Sequence, residues 1–357
     1  MMGCRSKDGT QRRDARVSSS WSKRLLCLAP ILLAGLGPVS AYAQEAFKGK
    51  QVRLIVGAPP GGGYDAYARL LGNHIGRHIP GNPVVIVQNM PGAASITLVN
   101  HLVNAAPRDG GTIGAVLNLT GTFPMLFPTH AKFDARDLNW IGSMLRETGI
   151  ALARTDVKIK DLRDATNKEV VVAGSTGATN SFPSFSNAFA GTKFKIVLGY
   201  PGTRDGMLAV ERKEVDALVG ITYASVKATS AEALQDGKIN LFIQFGLRRH
   251  PDLPGVSWIF DHARTDDDKA AMELMFSPQE FGRPFVLPPA VTADTIKMMR
   301  SAFDSTMTDP NFLDEAARRK MDIDPVTGID IATMVEKLAK TPPHIVNSVR
   351  ALVGDVP

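Results

Sequence analysis

The chain has 357 residues, with 41 Lys and Arg against 35 Asp and Glu, a formal net charge of +6 and two cysteines. Seven of the basic and two of the acidic residues precede position 44, so the rest of the chain carries a net charge of about +1. The apparent basicity is therefore no argument for binding nucleic acid. Both cysteines, Cys4 and Cys27, also lie there, which excludes disulfides and thiolate metal sites from the remainder.

Residues 1–43 have the pattern of a secretory signal peptide. A basic segment precedes an apolar stretch from Leu25 to Val39, and Ala41-Tyr42-Ala43 provides a small-x-small cleavage site before Gln44. The apolar stretch is short for a membrane span, and two prolines interrupt it. We expect export to the periplasm with Gln44 as the first mature residue. A lipid anchor on Cys27 is the disfavoured alternative, because this cysteine begins the apolar stretch.

The remainder alternates short apolar runs with helical patterns, which predicts an α/β fold of two domains. The predicted strands are Val52–Val56, Val84–Val87, Ile113–Leu117, Val170–Ala173, Ile196–Leu198, Ala217–Val219, Ile239–Phe245 and Phe285–Leu287. The predicted helices are Asp65–Ile79, Ser95–Asn104, Ser181–Ala190, Arg204–Lys213 and one from Asp309-Pro310 to Arg319. Unbroken apolar strands between helices are typical of parallel sheets, which bind ligands at the carboxyl ends of their strands. The charged residues 264–269 suggest a solvated loop.

A glycine-rich loop follows the first predicted strand. Gly61, Gly62 and Gly63 stand between the strand and a helix start, where glycine permits a positive φ and the first helical turn leaves N–H donors unpaired. This geometry suits a carboxylate. A structural turn is the alternative, whereas a nucleotide loop is disfavoured because Tyr64-Asp65 follows in place of Gly-Lys-Ser/Thr. For Asp65 we favour a helix-capping role with Arg69 one turn away over contact with a ligand ammonium or hydroxyl.

Motifs for catalysis are weak. His74 and His78 are four residues apart on a predicted helix, but Ile75 follows where His-Glu-x-x-His would need glutamate, so we expect two histidines on the helix surface. No Gly-x-Ser-x-Gly sequence surrounds a serine nucleophile. The residues therefore favour binding over chemistry, with no metal and no cofactor.

Several motifs together resemble one family of binding proteins. They are Pro59-Pro60-Gly61-Gly62 with Asp65 and Ala68-Arg69, Asn89-x-Pro91-Gly92-Ala93, Ala106-x-x-Asp109-Gly110, Gly174-Ser175-Thr176-Gly177, and Tyr200-x-Gly202-Thr203 before Val215-Asp216. In this order and spacing they resemble the Bug family, the extracytoplasmic solute receptors of tripartite tricarboxylate transporters.

The resemblance implies a type II periplasmic binding protein with a ligand cleft between two α/β lobes. Lobe 1 would comprise residues 45–145 plus 283–357, and lobe 2 residues 146–282. It also implies a small organic anion as ligand, a carboxylate held largely by backbone groups, hydroxyls and bound waters. We further expect a monomer. The implied partners are the large and small membrane subunits of the transporter.

The candidate ligand-binding residues follow the carboxyl ends of predicted strands in both lobes. They are Pro60, Gly61, Gly62, Gly63, Asp65, Asn89, Ser175, Thr176, Thr179, Tyr200, Gly202, Thr203 and Arg204. For the hydroxyls ordinary capping is the alternative, and for Arg204 solvent exposure is the base expectation.

The chain also departs from the family pattern in its loops. Ala58 stands where an aromatic residue is usual, Ala94-Ser95 replaces Gly-Gly, Gly220 replaces an acidic residue, and Arg204 replaces a small one. These departures bear on the ligand class and leave the fold unaffected. Two other functions remain open: an exported α/β hydrolase that uses the same cleft, and a binding protein that signals to a sensor. Neighbouring genes for membrane subunits or for a sensor kinase would separate transport from sensing.

Overall fold

The computed structural model describes residues 47–175 and 177–353, apart from the side chain of Ala228. The predicted signal peptide and Thr176 lie outside the described residues. Within them the chain forms two six-stranded sheets with helices on their faces, so the predicted α/β class is confirmed. None of the described helices combines the length and the apolar run that crossing a bilayer requires.

The strands are, in chain order, β1 (Gln51–Val56), β2 (Val84–Asn89), β3 (Thr112–Ala115), β4 (Asn139–Ser143), β5 (Gly149–Arg154), β6 (Val170–Gly174), β7 (Phe194–Leu198), β8 (Ala217–Thr222), β9 (Ile239–Phe245), β10 (Ser257–Trp258), β11 (Pro284–Leu287) and β12 (Val326–Thr327). The first sheet has the order β12-β4-β11-β3-β1-β2, and the second has the order β10-β9-β5-β8-β6-β7. All eight predicted strands are present.

The helices are α1 (Gly63–Ile75), α2 (Ile96–Asn104), α3 (Phe123–Leu126), α4 (Leu162–Asn167), α5 (Ala178–Ala190), α6 (Thr203–Glu211), α7 (Tyr223–Thr229), α8 (Ala231–Gln235), α9 (Asp266–Phe276), α10 (Ala293–Met307), α11 (Pro310–Arg318), α12 (Gly328–Leu338) and α13 (Pro343–Val353). Residues 264–267 and 269 are exposed as predicted, but the predicted loop is wrong, because α9 begins inside it. Thr265 and Asp268 form a reciprocal capping box there, which supplies the orphan N–H groups of the first turn with acceptors.

The sheets are mixed rather than purely parallel. In the first sheet β1 pairs in parallel with β2 and β3, whereas β11 is antiparallel to β3 and β4. In the second sheet β5 is antiparallel to both β8 and β9. β5 and β11 are the strands that the chain enters after passing from the other sheet. Each of these strands begins at the edge of the sheet where its two neighbours end, so it runs antiparallel to both.

Two crossing segments connect the sheets. Residues 144–148 lead from β4 to β5, and residues 277–283 lead from α9 to β11. The segments are tied together by backbone hydrogen bonds from Met144 to Arg283 (3.1 Å), from Glu147 to Gln279 (2.7 Å) and from Gly282 to Leu145 (2.9 Å). Because both crossings enter at the same edges, the carboxyl ends of the parallel strands in the two sheets lie on the side of the cleft.

Each sheet is buried on both faces. In β1 the side chains of Leu54 and Ile55 belong to separate apolar clusters, as strand alternation requires. In the second sheet Ala151 and Ile150 divide in the same way. The last helix, α13, packs against α5 and α9, and its Val349 is fully buried in the main cluster of the second sheet. The lobe limits at 145/146 and 282/283 remain a prediction.

Candidate functional site

The glycine loop connects the end of β1 to the first turn of α1. Gly61 has φ +81°, in the left-handed region, whereas Gly62 has an extended backbone with φ −83° and ψ 173°. Gly62 occupies the N-cap of α1 and provides no side-chain cap. Gly61, Gly62 and Gly63 are all exposed. The loop therefore presents accessible backbone next to an uncapped helix N-terminus, the arrangement that binds anions.

Asp65 holds this loop in place from within the first turn. Its Oδ2 accepts hydrogen bonds from the backbone N–H of Gly61 (2.8 Å) and from Nε of Arg69 (2.9 Å). The side chain is buried, and the Arg69 hydrogen bond is the main reason that the pKa of Asp65 falls to about 2. The predicted pairing with Arg69 is confirmed. Contact between Asp65 and a ligand stays a prediction.

Asn89, at the end of β2, completes the same network. Its Nδ2 donates to Asp65 Oδ1 (2.8 Å) and to the carbonyl of Ala58 (3.0 Å), and its Oδ1 accepts from Arg69 (3.0 Å). Both ends of the amide are thus engaged within the protein. Asn89, which is predicted to contact the ligand, therefore also links the end of β2 to the segments before and after the glycine loop.

Ser95 supports the loop from behind. Ala93, Ala94 and Ser95 all have positive φ, and the last two stand where the family pattern has glycines. Ser95 is fully buried, and its hydroxyl donates to the Gly57 carbonyl (2.9 Å) and accepts from the backbone N–H of Leu117 (3.1 Å). The hydroxyl thereby joins the chain after β1 to the chain after β3. A side chain on Gly57 would collide with it.

The loop after β6 is held by hydroxyl groups. Thr179 is buried, and its Oγ1 accepts from the backbone N–H of Ser175 (3.1 Å) and donates to the Ser175 hydroxyl (3.2 Å). At Gly220 a Cβ atom would collide with the carbonyl of Ala178, and φ is +91°. The acidic residue that the family has at this position would not fit here. Ligand contacts by Ser175 and Thr179 remain predictions, and Thr176 lies outside the described residues.

The loop after β7 has a looser arrangement. Tyr200 is half-buried against the apolar cluster of the second sheet that contains Ile150. Gly202 is the N-cap of α6 and provides no side-chain cap. Thr203 and Arg204 are exposed and line a surface groove with residues of α7. Their contact with a ligand stays a prediction.

Arg283 lies beneath the glycine loop and was not among the predicted site residues. Its guanidinium carbon is 4.4 Å from the centroid of the Tyr64 ring and 5.2 Å from that of Tyr67. Nη1 lies 2.9 Å from Glu147 Oε1, and the side chains of Arg283 and Glu147 are 16% and 12% exposed. This pair joins the two crossing segments directly below the first turn of α1. The pKa of Arg283 is raised, with Glu147 as the largest favourable cause against the cost of burial.

The two tyrosines connect Arg283 to the rest of the cleft. The Tyr64 hydroxyl accepts from the backbone N–H of Asn118 (3.1 Å) after β3, and the Tyr67 hydroxyl donates to the carbonyl of Asp322 (2.9 Å). Burial raises the pKa of each phenol to about 12. Both therefore remain neutral donors and acceptors over the working pH range.

A charged cavity of about 420 Å³ lies beside the crossing segments, both of which contribute to its lining. Its ion pairs include Glu280 with Arg146 (3.3 Å) and Arg248 (3.4 Å), and Lys227 with Asp322 (3.5 Å). None of the predicted ligand-binding residues lines it. These pairs place charges of both signs against one another in the lining of the cavity.

His74 in α1 and His78 in the 3-10 turn after it pair with separate carboxylates. His74 is buried with Nε2 2.6 Å from Glu315, so the predicted surface position is wrong for this residue. His78 Nε2 lies 3.0 Å from Asp309, the residue that caps α11. Among residues 47–175 and 177–353 no group of three or more His, Cys, Asp and Glu could hold a metal ion. His74 thus connects α1 to α11, and His78 connects the turn after α1 to the N-cap of α11.

Comparisons with known proteins agree with this architecture. A family model described as the tripartite tricarboxylate transporter family receptor, TctC, matches residues 67–348. The chain belongs to this receptor family. A UPF0065 protein of Bordetella pertussis is 26% identical, over 82% of this chain and 85% of its own length. A second, from Agrobacterium vitis, is 22% identical over 76% of this chain and 78% of its own.

Solved TctC-type structures share the fold. A TctC solute-binding protein from Polaromonas, solved without ligand, superposes with a TM-score of 0.66 at 16% identity, over 85% of this chain and 97% of its own. MatC from Rhodopseudomonas palustris with bound malate superposes with a TM-score of 0.53 at 18% identity, over 85% of this chain and 99% of its own. A further R. palustris protein with adipate superposes with a TM-score of 0.56 at 16% identity, over 85% of this chain and 97% of its own. At these identities the likeness establishes the fold alone, and it confirms the two-lobed binding-protein class.

Proposed function

We propose that this TctC-family receptor binds a small organic anion in the periplasm and delivers it to the large and small membrane subunits of a tripartite transporter. One observation carries the proposal. The glycine loop presents an exposed, uncapped helix N-terminus at the edge where the parallel strands β1, β2 and β3 of the first sheet end.

A carboxylate is the ligand group that this loop favours. Backbone N–H donors satisfy a carboxylate, and the dipole of α1 adds a favourable potential within its first turn. Asp65 would repel an anion if its charge faced the cleft. Instead, donors from Gly61, Arg69 and Asn89 surround that buried charge, so the loop presents donors without a bare negative charge.

We assign the second contact surface to the ends of β6 and β7. Ser175, Thr179, Tyr200, Gly202 and Thr203 follow these strands, at the edge of the second sheet toward the cleft. Hydroxyls and a second uncapped helix start can accept another polar group of the ligand when the lobes close. Residues 1–43 would direct the chain to the periplasm.

A ligand screen with one glycine variant tests the proposal. Malate, adipate, citrate and aromatic acids are added to ligand-stripped protein, followed by calorimetry on those that raise the melting temperature. We expect a carboxylate to bind with a Kd of about 1 µM, or roughly −8 kcal/mol. Gly62→Val should weaken it about 100-fold or more, because the side chain fills the anion position and removes hydrogen bonds worth about 1.5–3 kcal/mol each.

The structure makes this variant a clean test. Gly62 has an ordinary φ, and the nearest atom to an added Cβ is the Pro59 carbonyl oxygen at 3.8 Å, so folding should be unaffected. Gly255→Val is the matched control, since that glycine also has open space around it and lies outside both loops. Undiminished carboxylate affinity in folded Gly62→Val, or stabilisation by a neutral sugar and no carboxylate, would refute the proposal.

A further inference from the structure

The guanidinium of Arg283 has two differently engaged ends. Nη1 donates to the Gly282 carbonyl (2.6 Å) and pairs with Glu147, both in the crossing segments. Nη2 lies on the side of the glycine loop, 3.5 Å from the position that a Cβ atom on Gly63 would occupy. An anion resting on the first turn of α1 would therefore lie close to Nη2, with Glu147 on the far side of the guanidinium.

The charges on this side of the cleft are balanced in pairs. Arg69 compensates Asp65, and Arg283 compensates Glu147. A balanced pair attracts a nearby anion weakly, in proportion to the charge of that anion. The cost of removing the anion from water rises more steeply, roughly with the square of its charge. A singly charged carboxylate is thus favoured over a doubly charged group such as phosphate.

This inference rests on the proposed function and concerns its selectivity. We propose that Arg283 and Glu147 are the specificity-determining pair of the glycine loop. Arg283 attracts a carboxylate through Nη2, and Glu147 limits that attraction so that dianionic groups are rejected. The stacking of Arg283 on Tyr64 and Tyr67 fixes the guanidinium in the position that both effects require.

Calorimetry with malate, adipate and inorganic phosphate at pH 8 tests the pair. In wild type we expect at least a 100-fold preference for the better carboxylate over phosphate. Glu147→Gln should reduce this preference at least tenfold, chiefly by improving phosphate binding. Arg283→Met should weaken carboxylate binding 100-fold or more. The double variant, which leaves no unpaired buried charge, should regain the melting temperature but remain at least tenfold weaker than wild type for the carboxylate.

Glu280→Gln is the matched control for charge. Glu280 is similarly buried and lines the same charged cavity as Glu147, but its partners are Arg146 and Arg248 and it makes no ion pair with Arg283. It should change the carboxylate-to-phosphate ratio less than threefold. If carboxylates bind and Glu147→Gln leaves that ratio unchanged, or if the double variant binds carboxylate normally, the pair is structural and this proposal alone falls. If no carboxylate binds wild type or Glu147→Gln, the proposed function falls with it.

Discussion

The two loops that are proposed to contact the ligand are built from different interactions. The glycine loop of the first sheet is fixed by a buried charge, since Asp65 accepts from Gly61, Arg69 and Asn89. The loop after β6 is fixed by hydroxyls, with Thr179 bonded to both the backbone and the side chain of Ser175. Hydrogen bonds to a charged group are worth about twice those between neutral groups. The first loop should therefore be the firmer and the more sensitive to charge.

In the comparison of these loops, the largest expected effect on stability comes from Asp65→Asn. Asparagine has one acceptor oxygen where the carboxylate serves three donors, so we expect a loss of roughly 2 kcal/mol of unfolding free energy at pH 7 and about tenfold weaker binding. The pKa of Asp65 falls from its ordinary 3.8 to about 2 on folding. Its contribution is thus complete above pH 4 and is lost as the pH falls from about 4 to about 2.

Urea unfolding at several pH values measures this. The stability difference between wild type and Asp65→Asn should shrink as the pH approaches 2. Asp134→Asn serves as the control, because that carboxylate pairs with Arg136 at an exposed position where such pairs contribute about 0–1 kcal/mol. A difference that stays constant between pH 7 and pH 2.5 would show that the charge of Asp65 does not hold the loop.

A smaller effect is expected from Thr179→Val. The substitution keeps the shape of the side chain and removes a buried hydroxyl with two neutral hydrogen bonds, so stability should fall by about 1 kcal/mol. The loss should be the same at pH 7 and pH 3, in contrast to that of Asp65→Asn. Thr179→Ser, which keeps the hydroxyl, should retain most of the wild-type stability. If Thr179→Val destabilised the protein more than Asp65→Asn does, the loop after β6 would be the firmer of the two loops.

The smallest effect is expected from Arg204→Gln. Arg204 is exposed at the start of α6, so its charge is screened at physiological ionic strength. Carboxylate affinity should change less than about threefold at 0.15 M salt, and association should slow mainly at low salt. Arg212→Gln, an exposed change at the other end of α6, provides the comparison. A 30-fold loss specific to Arg204→Gln would mean that the loop after β7 also carries a binding charge.

The sequence is most informative where the determining contacts are local. Apolar runs located eight strands, and Gly-rich turns located the loops, because both depend on neighbouring residues. The helix at Asp266 was missed although Thr265-x-x-Asp268 is a capping box, so a local signal was available there. β10 and β12 have two residues each, too few for periodicity to reveal.

The site was less accessible because its key contacts join distant parts of the chain. His74 meets Glu315, and Arg283 meets Glu147 and Tyr64, across separations that no local pattern encodes. Arg283 stands at the predicted lobe limit, where the chain enters β11. This position is the feature of the sequence that could have indicated a role for Arg283. Asp65 was correctly paired with Arg69 because the two are one helical turn apart.

The position of α13 has a consequence for the order of folding. Val349 and Ile345 belong to the same apolar cluster as Val172 and Phe245, so the second sheet lacks part of its core until the final helix has been synthesised. A nascent chain that has reached β9 can form the strands but cannot complete their burial. If such a chain crosses a membrane before it folds, the second sheet cannot complete its core until α13 has also crossed.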